Sequence, residues 1–404
     1  MGQLSCAQFQ QEESVNRMSL YFNKQENQKQ NDRANSFSQL HSIGKYLNVG
    51  QNPKLDLIWE QKLDSFKVYD EPIKTLSNYR NSLSKPQNIE QFFKDCPLLT
   101  QDYEYYMFRF FIQEKQEFKQ YGLMGIPQQY RWGYWKVITF KKGIFRKRFD
   151  SQTNEATYCI QKDINRTLIS DLFKEEAVVQ KLDYVLSNLA QSYPQVGYCQ
   201  GMNYIAALFL LVSGAREQET VCVFAELLDS PFYMFNLLFK EDLPLLFIME
   251  EIIMNLMQIK LPKVYEHFNN CNIQPSIWIS KILLSGFVYL FDYLDCVLFW
   301  DYIFIKGTVL GYTNLIIAMI TIHQEALLTK DEAALFAFFS FQEQNIRWGD
   351  QIIKQAISKP IEDKDIRQIM KKTDKKLDLV KLFKFYGKKE FDKLYGELSN
   401  GINK

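Results

Sequence analysis

The sequence predicts an all-α body. Apolar residues recur at helical spacing through most of the chain after about residue 120, strand-like alternation is nearly absent, and 47% of the 404 residues are hydrophobic. That apolar content is ample for a sizeable core. The clearest stripe is Val178, Leu182, Val185, Leu186 and Leu189, at i, i+4, i+7, i+8 and i+11.

In chain order, residues 1–88 are rich in Gln, Asn, Ser and Lys and too poor in apolar residues for a core, which predicts a largely disordered arm. Within it, Leu47 to Phe66 is apolar enough to form a docking segment. The terminus M-G-Q-L-S-C begins like an N-myristoylation site but puts Cys6 where Ser or Thr is needed, so an unmodified Gly2 is expected. From about Ile89 the texture changes, and Tyr103 to Phe118 reads as an aromatic helical lead-in spanning 89–119. Gly125-Ile126-Pro127 is a breaker, after which Arg131 and Trp135 share a helix face, the arginine stem packing over the ring. Lys141, Lys142, Arg146, Lys147 and Arg148 form the densest basic cluster, expected to be a solvated loop.

A helix from about Lys174 to Ala190 carries the stripe just described, with Glu175 and Glu176 suited to its positive end. Pro194 stops it, and Gly197 and Gly201 bracket Tyr198-Cys199-Gln200 in a turn that enters the apolar run Tyr204 to Val212. Further helices are expected over Thr220–Leu228, Leu243–Met257, Ser276–Phe291, Val297–Ile305, Tyr312–Leu328 and Ala333–Phe341. Residues 359–404 hold 13 Lys+Arg against 8 Asp+Glu yet keep apolar spacing, which predicts a basic helical tail.

Composition excludes several functions. With 48 Lys+Arg against 47 Asp+Glu there is no global field to hold nucleic acid or an anionic membrane. The seven cysteines lack any C-x-x-C pair and the chain lacks an N-terminal apolar signal, pointing to a reducing, cytoplasmic setting. The most membrane-like window, Ile282 to Ile305, carries Asp292, Asp295 and Asp301, so it reads as buried core helices. Three histidines and no H-E-x-x-H argue against a transition-metal site. Neither a G-x-x-x-x-G-K-[ST] loop, a G-x-G-x-x-G loop nor a G-x-S-x-G elbow occurs, so the chain is not expected to hold a nucleotide or hydrolyse a substrate by itself.

The polar chemistry concentrates between Ile160 and Asn203, where Arg166 and Gln200 sit at two helix edges. Those are the groups that GTP hydrolysis on another protein lacks. A guanidinium supplied in trans neutralises charge building on the phosphate oxygens, worth about 10³ to 10⁵ in rate, and an amide orients the attacking water. Asp163, three residues before Arg166, can hydrogen-bond the guanidinium or cap a backbone turn.

Three ordered strings, G-I-P-x-x-x-R-x-x-x-W (Gly125–Trp135), I-x-x-D-x-x-R-T (Ile160–Thr167) and G-Y-C-Q-G-M-N (Gly197–Asn203), resemble the TBC domain, the Rab GTPase-activating module. The similarity continues in Gln274-Pro275-Ser276 and in Phe299-Trp300-Asp301 with Gly307, covering roughly residues 120–358. A bare Y-x-Q arises by chance about once in such a composition, so the weight rests on the longer strings in their order. The resemblance implies a two-lobed helical fold, Arg166 as arginine finger, Gln200 as glutamine finger, and Asp163 and Tyr198 as supporting residues. It implies a GTP-loaded Rab-family GTPase as partner, GTP and Mg2+ held by that partner, and a role in vesicle trafficking that allows peripheral association with endomembranes.

Arg131, Trp135, Trp300 and Asp301 are expected to be packing residues. Met124 replaces a usual basic residue before Gly-Ile-Pro, Tyr193 a usual Asn before Pro194, and Leu298 a common Arg before Trp-Asp, departures that bear on partner choice and leave both fingers intact. The alternative reading is a catalytically inactive adaptor that binds a GTPase or a membrane component through the same fold. A third is a lipid-anchored tether, which depends on acylation near Gly2 and Cys6.

Overall fold

A computed structural model describes residues 114–123, 125–139, 157–167, 176–339 and 348–373, with Gln61 and Phe111 as isolated positions. The docking segment within the arm (apart from Gln61), Gly2 and Cys6, the basic cluster 141–148, Met124, Lys174, Glu175 and the tail beyond residue 373 lie outside the described residues. All regular structure among the described residues is helical.

Sixteen helices are described: α1 (Lys115–Leu123), α2 (Gln128–Thr139), α3 (Thr157–Ile164), α4 (Glu176–Ser192), α5 (Met202–Ser213), α6 (Glu217–Asp229), α7 (Phe235–Phe239), α8 (Pro244–Lys260), α9 (Pro262–Asn270), α10 (Pro275–Ser285), α11 (Tyr293–Lys306), α12 (Thr308–Ile322), α13 (Gln324–Leu328), α14 (Glu332–Phe338), α15 (Gly349–Ser358) and α16 (Asp363–Thr373).

The centre is α5, whose twelve residues are all buried. A helix apolar on every side must be wrapped on every side. It packs against α2, α3, α4 and α6 in the N-terminal half and against α10 and α11 in the C-terminal half. The second half is organised by α8, α11 and α12: α8 packs on α9, α10, α12 and α16, while α12 and α11 both pack on α15. One continuous apolar core runs through both groups. Rings of Trp135 (α2), Phe209 (α5), Trp300 and Phe304 (α11) join them, with centroid separations of 4.7–5.5 Å between Trp135 and Phe209, Trp135 and Phe304, and Phe209 and Trp300.

Several helices match the periodicity closely. The five residues of the α4 stripe are all buried, and Glu176 sits in its first turn. Two predicted helices are each divided. Ser276–Phe291 ends as a helix at Ser285, because Gly286 takes φ +59 and a Cβ there would press on the Trp300 ring. Tyr312–Leu328 is likewise interrupted at His323 between α12 and α13. Periodicity alone does not register these breaks, since apolar residues continue through both.

The acidic residues of the Ile282–Ile305 window have structural uses. Asp292 is the N-cap of α11, accepting the N–H groups of Leu294 (2.9 Å) and Asp295 (3.0 Å). Asp295 accepts the Trp348 N–H at 3.3 Å. No helix among the described residues is long and apolar enough to cross a membrane.

Asp301 is more than a packing residue. It is buried, receives Arg131 Nε at 3.1 and 3.2 Å, Trp135 Nε1 at 2.8 Å and the Ile126 N–H at 3.2 Å, and so ties the Gly-Ile-Pro entrance and α2 to α11. Arg131 is equally buried and spends its other donors on Gln128 Oε1 and the Ile126 carbonyl, both at 2.5 Å. Burial pushes the Asp301 carboxyl up to about 6, opposed by the Arg131 charge and these hydrogen bonds, so it is ionised at neutral pH. Arg131 and Trp135, on one face of α2, share Asp301 as acceptor.

Candidate functional site

The two loops that carry Arg166 and Gln200 meet at Asp163. Helix α3 buries Ile160 and Ile164 on one face, which puts Asp163 at the same inner edge, while Gln161, Lys162 and Asn165 stay exposed. After Ile164 the chain tightens: the Arg166 N–H donates to the Asp163 carbonyl (3.2 Å) and the Thr167 N–H to the Ile164 carbonyl (2.9 Å). That turn throws Arg166 outward from the helix end with about a quarter of its side chain exposed.

Asp163, itself buried, uses both carboxylate oxygens. Oδ1 accepts Arg166 Nε at 2.9 Å and also Arg166 Nη2, and Oδ2 accepts the Tyr198 hydroxyl at 2.6 Å. One acidic side chain therefore restrains the guanidinium and anchors the second loop. Burial, then the Asp163 charge, pushes the Tyr198 phenol well above its ordinary value, so it stays a donor to the carboxylate. The same two causes push the Cys199 thiol up to about 12, keeping it neutral and poorly nucleophilic at physiological pH.

The second loop leaves α4 through a turn in which the Val196 and Gly197 N–H groups donate to the Tyr193 carbonyl. Gln200 follows as an exposed residue whose side-chain amide makes no hydrogen bond to a described residue. Gly201 explains that projection. Its φ is +112, and a Cβ there would drive into the Leu284 carbonyl of α10, so only glycine lets the loop lie this close to the core before α5 begins. The Cys199 N–H meets Met202 Sδ at 3.3 Å, closing the first turn of α5 behind Gln200.

Arg166, Asp163 and Tyr198 are thus joined by hydrogen bonds, and Gln200 stands two residues beyond Tyr198 on the same loop. Sequence reasoning passed over Thr167 and Asn203, which are both fully buried. Asn203 Nδ2 donates to Thr167 Oγ1 at 2.7 Å, and Thr167 Oγ1 donates to the Asp163 carbonyl at 2.6 Å. Both lie inside the motif strings, but nothing in local spacing distinguishes them from ordinary residues at a helix end. Among the described residues no group of three His, Cys, Asp or Glu side chains could hold a metal ion.

A second polar hub joins α2 and α6. Glu219 on α6 accepts Trp132 Nε1 (2.6 Å), Lys136 Nζ (2.9 Å) and Arg216 Nη1 (3.0 Å). Burial would raise its carboxyl, but Lys136, Trp132 and Arg216 together outweigh it and hold it below the usual range. Its role is to lock α2 on α6.

Comparison with known proteins agrees with this architecture. Residues 128–328 match the Rab-GTPase-TBC domain family. Growth hormone-regulated TBC protein 1 of Xenopus tropicalis is 23% identical over 218 residues, 49% of this chain and 60% of that protein. The Rab GTPase-activating protein eat-17 of Caenorhabditis elegans is 30% identical over 172 residues, 40% of this chain and 19% of that protein. The chain spans about three fifths of the length of the growth hormone-regulated relatives and less of the longer ones. The fold resembles the crystal structure of the Chlamydomonas flagellar RabGAP TBC domain, with TM-score 0.52 and 18% identity over 63% of this chain and 91% of that one. It also resembles the Ypt/Rab-GAP domain of Gyp1p, with TM-score 0.51 and 14% identity over 60% of this chain and 92% of that one. At those identities the likeness speaks for the fold, while the sequence match speaks for the family. With the all-helical body, the ordered motifs and the matched span in agreement, the chain belongs to the Rab-GTPase-TBC domain family.

Proposed function

We propose that this chain is a GTPase-activating protein for a Rab-type small GTPase, with Arg166 and Gln200 supplied in trans to a nucleotide and Mg2+ held by the partner. The observation that carries the reading is the convergence on Asp163, where one buried carboxylate holds the Arg166 guanidinium and the Tyr198 loop that presents Gln200. Family membership supports the same partner class.

The chemistry follows from the two side chains. In the loose transition state of phosphoryl transfer, charge spreads over the phosphate oxygens, and a guanidinium brought beside them stabilises it by an amount worth about 10³ to 10⁵ in rate. Gln200 carries a donor and an acceptor on one planar group, so it can hold the attacking water by both its hydrogen and its oxygen. Asp163 lowers the entropy that Arg166 would lose on engaging the nucleotide. The protein acts from the cytoplasm in vesicle trafficking, with peripheral contact at the membrane that bears the GTPase.

Single-turnover GTP hydrolysis across a panel of Rab GTPases tests this directly. Stimulation by the wild type and its loss in both Arg166→Ala and Gln200→Ala are expected. A panel with no stimulated member, or an Arg166→Ala variant as active as wild type, sinks the proposal. Tight binding of a GTP-loaded Rab, equal in wild type and Arg166→Ala and without turnover, would establish the adaptor reading instead.

A further inference from the structure

Two separate hydrogen-bond paths join the turn that bears Arg166 to the turn that bears Gln200. The outer path runs through side chains, from Tyr198 to Asp163 to Arg166. The inner path is fully buried and runs between backbones. Asn203 Oδ1 accepts the N–H of Gly201, the residue after Gln200, at 3.0 Å. Asn203 Nδ2 donates at 2.7 Å to the hydroxyl of Thr167, the residue after Arg166, and that hydroxyl donates at 2.6 Å to the Asp163 carbonyl. From this we infer that Thr167 and Asn203 are positioning residues that hold the two turns at a set relation to each other, an inference that rests on the proposed roles of Arg166 and Gln200.

The residue types are what the path requires. Only a side chain with an acceptor and a donor on one rigid plane can take the Gly201 N–H and reach Thr167, and the asparagine amide provides both. Thr167 gives its one proton to the Asp163 carbonyl, so it must receive from Asn203, which fixes the direction of every bond in the path. Both side chains are fully buried, Thr167 at 0% and Asn203 at 1% exposure, where an unmade bond leaves a polar group with no water to turn to. The path also converges on Asp163, whose carbonyl takes Thr167 while its carboxylate takes Arg166 and Tyr198. A shift of Thr167 therefore displaces the peptide unit from which the outer path is built.

Gly201 explains why a second tie is needed. Its φ of +112 breaks helical continuity between Gln200 and α5, and the bond to Asn203 registers this turn on the helix start together with the Met202 N–H to the Cys199 carbonyl (3.1 Å) and the Cys199 N–H to Met202 Sδ (3.3 Å). Without it, the side-chain tie that remains between the two turns among the described residues is that of the half-buried Tyr198 to Asp163.

The test uses Thr167→Val, which keeps the shape and removes the hydroxyl, and Thr167→Ser, which restores it, in the full chain. Hydrogen exchange of the free protein reads the tie without any GTPase. Thr167→Val should speed exchange of the Gly201 amide about tenfold or more, leave the α4 amides unchanged, and be reversed in Thr167→Ser. Single-turnover hydrolysis with the Rab that wild type stimulates should then show a maximal rate about tenfold lower for Thr167→Val, the half-saturating protein concentration unchanged, and recovery in Thr167→Ser. Unaltered Gly201 exchange overturns the inference, and so does a rate loss that only tracks the folded fraction measured by thermal unfolding. Should wild type stimulate no Rab while Gly201 exchange responds as stated, the GTPase-activating reading falls and the coupling of the two turns stands.

Discussion

Under the proposed function, replacing Asp163 separates the positioning of Arg166 from the chemistry of its guanidinium. In Asp163→Ala, Arg166 loses both of its bonds to Oδ1 and Tyr198 loses its 2.6 Å acceptor, while the guanidinium itself remains. An arginine carries about 2 kcal/mol of rotamer entropy, and the share of it that the Asp163 bonds hold fixed must be given up again on reaching the nucleotide once they are lost. At about 1.4 kcal/mol per tenfold, that is a loss of up to roughly 30-fold in single-turnover rate, against about 10³ to 10⁵ for removing the arginine. A counter-effect exists, because the carboxylate competes with the phosphate for the guanidinium. Asp163→Asn weighs the two, since it leaves an oxygen for Arg166 and discards the charge, and it should lose less than Asp163→Ala. The assay is single-turnover hydrolysis on the stimulated Rab, normalised to folded protein. A folded Asp163→Ala that is as inactive as Arg166→Ala, or as active as wild type, refutes the positioning argument.

Other outcomes follow from the same geometry. Arg131→Ala strands the buried Asp301 carboxylate and should lower unfolding free energy by about 3–5 kcal/mol, measured in urea; a loss under about 1 kcal/mol would mean the pair is not what ties α2 to α11. Gly201→Ala should cost about 1–3 kcal/mol and suppress stimulation, whereas Gly197→Ala, with φ +61 but open space for a Cβ, should cost about 1–2 kcal/mol and spare more activity; equal damage at both would remove the argument from Leu284. Glu250 on α8 has a buried Oε1 with no hydrogen-bond partner, and burial raises its carboxyl to about 7. Between about pH 4.5 and 7 the unfolded chain then releases a proton that the folded chain keeps, so this group makes stability fall as pH rises across that window. Glu250→Gln should flatten that slope in denaturant titrations and gain on the order of 1 kcal/mol at pH 8; an unchanged slope would assign the pH dependence elsewhere.

Much of the molecule was legible in the chain. The α4 stripe, the breaker before α2 and the exposed Gln200 turn follow from periodicity and from Gly and Pro positions, because those are local properties of the backbone. Short helices such as α7, with five residues, and the breaks at Gly286 and His323 were not legible, since the apolar pattern runs across them and the stop at Gly286 is set by the distant Trp300 ring. Of the site, Arg166 and Gln200 stood out by residue type and motif order. Asp163 could be suspected from its spacing alone.

What the sequence by itself determined is the helical body and the placing of two polar groups at helix edges, because helix periodicity and the chemistry of guanidinium and amide need no partner to be recognised. Only the tertiary structure decided how those groups are held. Tyr198 reaches Asp163 across 35 residues, Asn203 reaches Thr167 across 36, and Arg131 reaches Asp301 across 170. Such pairs satisfy buried charges and polar atoms that local spacing cannot match up, since the requirement that each find a partner arises only when the core closes and water leaves.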